Sequence, residues 1–261
     1  MFRRLYRSWL AWLLRLKRHE PVPMNAGILM IGSLLWDWED NRPAWRDARL
    51  DIASAEDVTA PIRYGRLSGK KRGHTYTMVF SRLCAAGQAK LIRCSHFIST
   101  SQELIAEAEY LWKAEQPAAE AHRIAASWGC VALLCNPKRQ IPPDMLTGWA
   151  ERVDSESDYG NVSQTQAEGV LVSDDGLLHI DWPRLVAGGD ADVDLILVTA
   201  NDPEITPSST TYPSAQAIAD AWNGAAAKHA EYFWKNTENG IRTFQDDEIR
   251  ALLRPRGQDQ S

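Results

Sequence analysis

Two stretches of the chain carry residue types that can do chemistry together. In the first, Ile28-Leu29-Met30-Ile31-Gly32-Ser33-Leu34-Leu35-Trp36, an apolar run of strand length ends in a Gly-Ser pair ahead of the acidic cluster Asp37, Glu39 and Asp40. Gly32 lets another group approach the backbone closely. The amides of Ser33 and Leu34, at a strand-to-turn exit, can converge into a concavity that holds a carboxylate without a charged side chain. In the second, Leu146-Thr147-Gly148-Trp149-Ala150-Glu151-Arg152-Val153, a helix introduced by Pro142-Pro143-Asp144 carries Glu151 near its C-terminal end. A carboxylate there meets the unfavourable pole of the helix dipole, and burial beside Trp149 and Val153 would favour its neutral form. Such a group can move protons. Each stretch also has a plain structural reading, as a core strand ending in a turn and as an ordinary exposed helix glutamate. Glu156, a short way downstream, is a competing carboxylate.

Other chemistries are poorly served. No Gly-x-Ser-x-Gly elbow surrounds Ser33, which argues against an acylated serine. Cys84, Cys94, Cys130 and Cys135 form neither a CxxC pair nor the Cys/His spacing of a zinc site. No metal is therefore expected, and the thiols read as reduced and mostly buried in a cytoplasmic protein. A formal charge of -5 over 261 residues supplies no clustered excess of Lys and Arg for a phosphate backbone, so nucleic acid is not an expected partner.

The N-terminus is the exception in charge. Residues 1–20 set Arg3, Arg4, Arg7, Arg15, Lys17 and Arg18 against Leu5, Trp9, Leu10, Trp12, Leu13, Leu14 and Leu16, a basic amphipathic helix pattern. Its apolar run is too short to span a bilayer and no small-residue cleavage site follows, but such a face can dock on a membrane surface. Pro21-Val22-Pro23 reads as a linker. The expected organisation is an N-terminal extension over 1–23, one compact domain over 24–253 and a polar tail over 254–261. The 44% hydrophobic and 24% charged composition suits a single sizeable core.

The elements that must position the two stretches follow from periodicity and punctuation. Asn41-Arg42-Pro43 reads as a turn within a polar segment running from Asp37 to Ala60. Pro61 to Ser68 and His74 to Phe80 read as a hairpin around the basic tip Lys70-Lys71-Arg72, and Ala89 to Cys94 as a further strand. Ser101 is placed to cap a helix with Leu104, Ile105, Ala108, Leu111 and Trp112 on one face, ending near Pro117. Ser127 to Asn136 reads as a buried strand, Glu168 to Ile180 as a hairpin and Asp192 to Thr199 as a strand. Ser214 caps a helix whose apolar side extends through His229, Tyr232, Phe233 and Trp234, and Asp246 to Leu253 forms a last short helix.

In their order, these motifs resemble those of the γ-glutamylcyclotransferase-like family. Met30-Ile31-Gly32-Ser33-Leu34-Leu35-Trp36 stands where that family has a Tyr-Gly-Ser-type motif, closest to the ChaC-like branch. Trp128-Gly129-Cys130-Val131 is followed by Leu146 to Val153 and then Ser157-Asp158-Tyr159, and Tyr212-Pro213-Ser214 leads toward Glu231-Tyr232-Phe233. The similarity runs from Ala26 to Ile249. It implies an α+β fold in which a mixed β-sheet closes into a small β-barrel with surrounding helices. It further implies an enzyme that cyclises a γ-glutamyl amide to 5-oxoproline with release of the amine or amino acid, using no cofactor. Glu151 would be the acid/base, and Ile31, Gly32, Ser33, Leu34 and Tyr159 would contact the substrate. The implied partner is a small γ-glutamyl compound: glutathione, a γ-glutamyl amino acid or a γ-glutamylamine. Ile31 in place of the family's Tyr and an insertion over 101–126 depart from the pattern. The competing reading is a non-catalytic protein of the same fold that binds a small ligand or plays a regulatory part.

Overall fold

The computed structural model describes residues 22–39, 41–69, 73–159, 169–203 and 212–254. The basic segment before residue 22, the tip at 70–72 and the tail beyond 254 lie outside them. In chain order the elements are β1 (Ala26–Met30), α1 (Arg42–Arg49), β2 (Glu56–Ala60), β3 (Ile62–Leu67), β4 (Tyr76–Phe80), β5 (Gly87–Arg93), α2 (Ser101–Glu115), β6 (Ala125–Ala126), β7 (Gly129–Cys135), α3 (Pro143–Asp154), β8 (Leu195–Asn201), α4 (Ala215–Gly224), α5 (Ala227–Glu238) and α6 (Asp246–Leu252).

The apolar run of β1 is buried at all five positions, and the sheet is built around it. One edge of β1 pairs antiparallel with β5 and the other pairs parallel with β8, in the register Ala26 opposite Leu195 and Ile28 opposite Leu197. The six-stranded mixed sheet has the order β2-β5-β1-β8-β7-β6, while β3 and β4 pair with each other as a separate two-stranded sheet. The expected barrel is not closed among the described residues. β2 and the two-residue β6 end the larger sheet as edges, and the β3–β4 ribbon that would bridge them pairs only with itself.

Several local expectations shift. Asn41-Arg42-Pro43 opens helix α1 instead of a turn, with Pro at the first helical positions where its missing N–H costs nothing. Residues 56–60, the end of the polar segment for which the sequence predicts no element, pair with β5 as β2. Thr100 rather than Ser101 caps α2, in a capping box closed by Glu103. Ser214 caps α4 as expected, its side chain accepting from the Ala217 amide, but the helix stops at Gly224 and α5 starts afresh after an extended Ala225. The hairpin over 168–180 is reduced to the bridge Val172–Leu178 around Gly176, beside a bridge from Leu177 to Leu133. No helix among the described residues is long and apolar enough to cross a membrane.

Helix α6 opens on a buried carboxylate. Asp246 is 3% exposed, and its Oδ1 accepts from the Thr243 amide at 3.0 Å and the Thr243 hydroxyl at 2.5 Å, while Oδ2 has no hydrogen-bond partner among the described residues. Burial pushes this carboxyl above its ordinary range, against the bonds from Thr243. The folded state thus holds the Asp246 proton to higher pH than the unfolded chain, whose aspartate titrates near about 3.9. The stability gained by protonation is fully present below that value and is lost as pH rises through the folded-state titration. Asp246→Asn, measured by urea unfolding across pH, should therefore be less stable relative to wild type at acid pH and should close the gap as pH rises. A pH-independent difference would exclude the burial effect.

Candidate functional site

Beyond Met30 the chain leaves the sheet in one helical turn. The amides of Leu35, Trp36 and Asp37 donate to the carbonyls of Gly32, Ser33 and Ser33 at 3.2, 3.2 and 2.8 Å. The amides of Ser33 and Leu34 head this turn and donate to no acceptor among the described residues. Two arginines of α1 fix the turn from behind. The buried Arg42 donates from Nη1 to Ser33 Oγ at 3.1 Å and Asp37 Oδ2 at 2.5 Å, and from Nε to the Ala114 carbonyl at 3.1 Å. Its Nη2 lies 4.0 Å from Glu115 Oε2. Arg46 donates to the carbonyls of Leu34 and Asp37 at 2.6 and 2.8 Å.

A cavity of about 280 Å³ opens at this turn, lined by Ile31, Gly32, Ser33 and Leu34 on one side. The other walls come from elements distant in sequence. Hairpin β3–β4 contributes Arg66 and Thr77, the end of α2 contributes Glu115 and Gln116, β8 contributes Thr199 and Asn201, and α5 contributes Tyr232. Arg66 and Glu115 are the only charged residues among the described lining.

Local geometry aims these groups. The β3–β4 register slips between Tyr64 and Arg66, so Gly65 is the extra residue of a bulge, and a Cβ there would come within 2.6 Å of Val79 Cγ2. The Arg66 side chain donates to the carbonyls of Trp128 and Asp202 at 3.3 and 3.1 Å, with its guanidinium 5.4 Å above the Trp128 ring. Trp128 in turn stacks on Trp112 of α2 at 5.0 Å. Because β8 runs parallel to β1, Thr199 and Asn201 reach the same end of the sheet as the Gly32 turn. Thr199 Oγ1 and Asn201 Oδ1 are shielded from solvent and have no hydrogen-bond partner among the described residues.

The four predicted residues of the turn therefore line one cavity. The other two predicted site residues do not. Glu151 is exposed on α3 and is absent from the lining, because the buried stripe of that helix is Met145, Trp149 and Val153 and Glu151 falls off it. Tyr159 is buried inside the fold. Its hydroxyl donates to the Val131 carbonyl at 2.5 Å, and the ring fills the space over Gly176, where a Cβ would lie 2.9 Å from the phenol oxygen. Burial raises the Tyr159 hydroxyl well above its ordinary range and its neighbour Cys130 to about 12, as suits inert structural groups. The competing Glu156 is buried but ion-paired to Arg123 and Arg152, at 2.5 and 3.0 Å.

Sequence reasoning missed Glu115, Arg66, Thr199, Asn201 and Tyr232. Glu115 shares with Glu151 a place near the C-terminal end of a helix, and Pro117 follows it. Among the described residues no group of three or more His, Cys, Asp or Glu is placed to hold a metal. Comparison with protein-family models, with curated proteins and with solved structures finds no match to the chain.

Arg42 ties the turn to the end of α2, so Arg42→Met should lower the unfolding free energy by about 2 to 4 kcal/mol, since Asp37 and the Ala114 carbonyl lose their buried partner. Glu151→Gln should change it by less than about 0.5 kcal/mol. Urea titrations of the two variants check both values.

Proposed function

We propose that this cavity takes the amino-acid head of a γ-glutamyl compound and that the protein cyclises it to 5-oxoproline, with Glu115 rather than Glu151 moving the protons. The observation that carries the reading is a complementarity of unused groups around one space. Among the described residues, donors without acceptors, the Ser33 and Leu34 amides, line a cavity that also holds acceptors without donors, Thr199 Oγ1 and Asn201 Oδ1, together with Glu115, whose carboxylate lies 4.0 Å from Arg42 Nη2. A zwitterion answers both sets, its carboxylate on the turn and its ammonium toward β8 and Glu115.

The chemistry asks little more of the protein. Glu115 accepts a proton from the ammonium, the freed amine attacks the γ-carbonyl of the same molecule and the five-membered ring closes. As the bond from the γ-carbon to the departing nitrogen breaks, the proton held by Glu115 passes to that nitrogen, and the restored carboxylate takes the second proton from the ring nitrogen, which leaves the neutral lactam N–H. Holding the head group at both ends folds the substrate toward its own carbonyl, which supplies much of the acceleration in an intramolecular reaction. A small β-barrel is the part of the family resemblance with least support in this chain, and the mechanism does not require it. The second reading, a non-catalytic binder of the same zwitterion, draws on the position of Glu151: the carboxylate that carries the family pattern is exposed.

Incubation with glutathione, a γ-glutamyl amino acid and a γ-glutamylamine, with 5-oxoproline as the readout, separates these readings. Turnover of at least one compound is expected. Glu115→Gln should lower kcat by about a hundredfold or more while binding persists, and Glu151→Gln should match wild type. Binding without turnover selects the non-catalytic reading; full activity in Glu115→Gln, or loss of activity in Glu151→Gln alone, rules out the assignment to Glu115.

A further inference from the structure

Gly32 is a glycine for a reason that its own backbone does not supply. It is not among the residues of positive φ, so the turn could be made by another amino acid. What a side chain would meet is Tyr232: a Cβ on Gly32 would lie 2.6 Å from the phenol oxygen, inside van der Waals contact, so the phenol would have to shift. The hydroxyl of a residue on α5 is thus pressed against the backbone of the turn, at the rim of the cavity that both residues line.

The surrounding contacts hold the phenol there. Its ring meets Trp36 edge-on at 5.7 Å and Trp222 at 5.5 Å. Helix α5 is fastened to the same turn by Trp36 Nε1, which donates to Asn236 Oδ1 at 2.7 Å, and by Lys235, whose Nζ lies 5.2 Å from the Trp36 ring. The turn's own side chains offer an acid group a single donor: Ile31 and Leu34 are apolar, Gly32 has none, and Ser33 Oγ, which accepts from Arg42, keeps only its own O–H to give. A phenol hydroxyl remains protonated at neutral pH and is a strong donor to a carboxylate.

We infer that Tyr232 is a substrate-contacting residue whose hydroxyl donates to the carboxylate seated on the Ser33 and Leu34 amides, and that Gly32 is the space left for that hydroxyl. The inference rests on the proposal that the cavity binds an amino-acid head group. It adds a recognition residue that reaches the turn from the far end of the chain and replaces, from a different element, the phenol that Ile31 cannot provide.

Four proteins test it: wild type, Tyr232→Phe, Gly32→Ala and the double variant. Each is examined by urea unfolding and by calorimetric titration with L-glutamine, the smallest γ-glutamyl amide, and with 4-aminobutanamide, which lacks the α-carboxylate. Gly32→Ala should be destabilised, and Tyr232→Phe should relieve much of that loss in the double variant, since the methyl then occupies the room of the missing hydroxyl. Affinity should behave differently. Tyr232→Phe and the double variant should both bind L-glutamine roughly ten- to a hundredfold more weakly than wild type, with 4-aminobutanamide unaffected. Recovery of affinity together with stability in the double variant would reduce the phenol to a packing role, and unchanged binding in Tyr232→Phe would remove it from recognition while leaving the proposed function standing. Wild type binding L-glutamine no better than 4-aminobutanamide would overturn both.

Discussion

The site depends on one guanidinium held out of water. Arg42 is 2% exposed and has contacts in three places at once: the Ser33 hydroxyl on the turn, the Asp37 carboxylate that closes the turn, and the Ala114 carbonyl at the end of α2. Burying a cation is costly unless its hydrogen bonds are made and its charge is answered, and the planar fork of arginine can meet several acceptors in fixed directions where lysine could not. Those requirements tie three segments into one geometry. If Asp37 moved, the guanidinium would lose its nearest carboxylate, and if Ser33 or Ala114 moved, one of its hydrogen bonds would go unmade, so the turn and the end of α2 keep their mutual placement through Arg42 even though no strand joins them. Arg46, one turn further along α1, fastens the backbone of the same loop through the carbonyls of Leu34 and Asp37.

This arrangement explains what was legible in the sequence. The run Ile28 to Met30 announced a strand buried on both faces, and the Gly-Ser pair after it announced the turn, because both signals are local. Helix α1 was not legible: Asn-Arg-Pro is read as a turn unless its arginines are known to have buried acceptors, and those acceptors sit on α2 and on the loop at residues 34–37. Glu151 follows from its place near the end of a helix and from the family resemblance, with Glu156 as its competitor, and nothing local singles out Glu115. Both stand near helix ends, and only the packing decides which end faces the cavity. Trp149 and Val153 face inward on α3 and turn Glu151 outward, whereas Trp112, stacked on Trp128, brings the last turn of α2 against the site. Tyr159 stands as a substrate contact only through the family resemblance, as the tyrosine downstream of Glu151; in the fold its hydroxyl donates to the Val131 carbonyl.

The unpaired oxygens on β8 mark where the fold departs from its own rules. A buried polar atom left without a partner costs about 1 to 3 kcal/mol, and most such atoms are therefore satisfied. Unpaired indole nitrogens also occur within the core, at Trp112, Trp149 and Trp222, where the aromatic body is what the packing uses. Thr199 Oγ1 and Asn201 Oδ1 differ, because these short side chains contribute little packing and stand on the wall of a cavity. Local inconsistency of that kind tends to collect at functional sites.

The polarity of the two backbone ends completes the argument. The short turn after β1 presents its first amides, the positive end of a small dipole, while α2 presents its last carbonyls and the Glu115 carboxylate, the negative end of a longer one. Left alone, the end of α2 would repel any acid group brought to the turn. Arg42 lies between them, donating to the Ala114 carbonyl on one side and to Ser33 on the other, so it offsets the helix end without itself lining the cavity. The cavity then keeps donors along one wall and acceptors along another. An anion alone would leave the acceptors unmet and a cation alone would leave the amides unmet, so a ligand carrying both charges a few bonds apart fits the wall chemistry better than either.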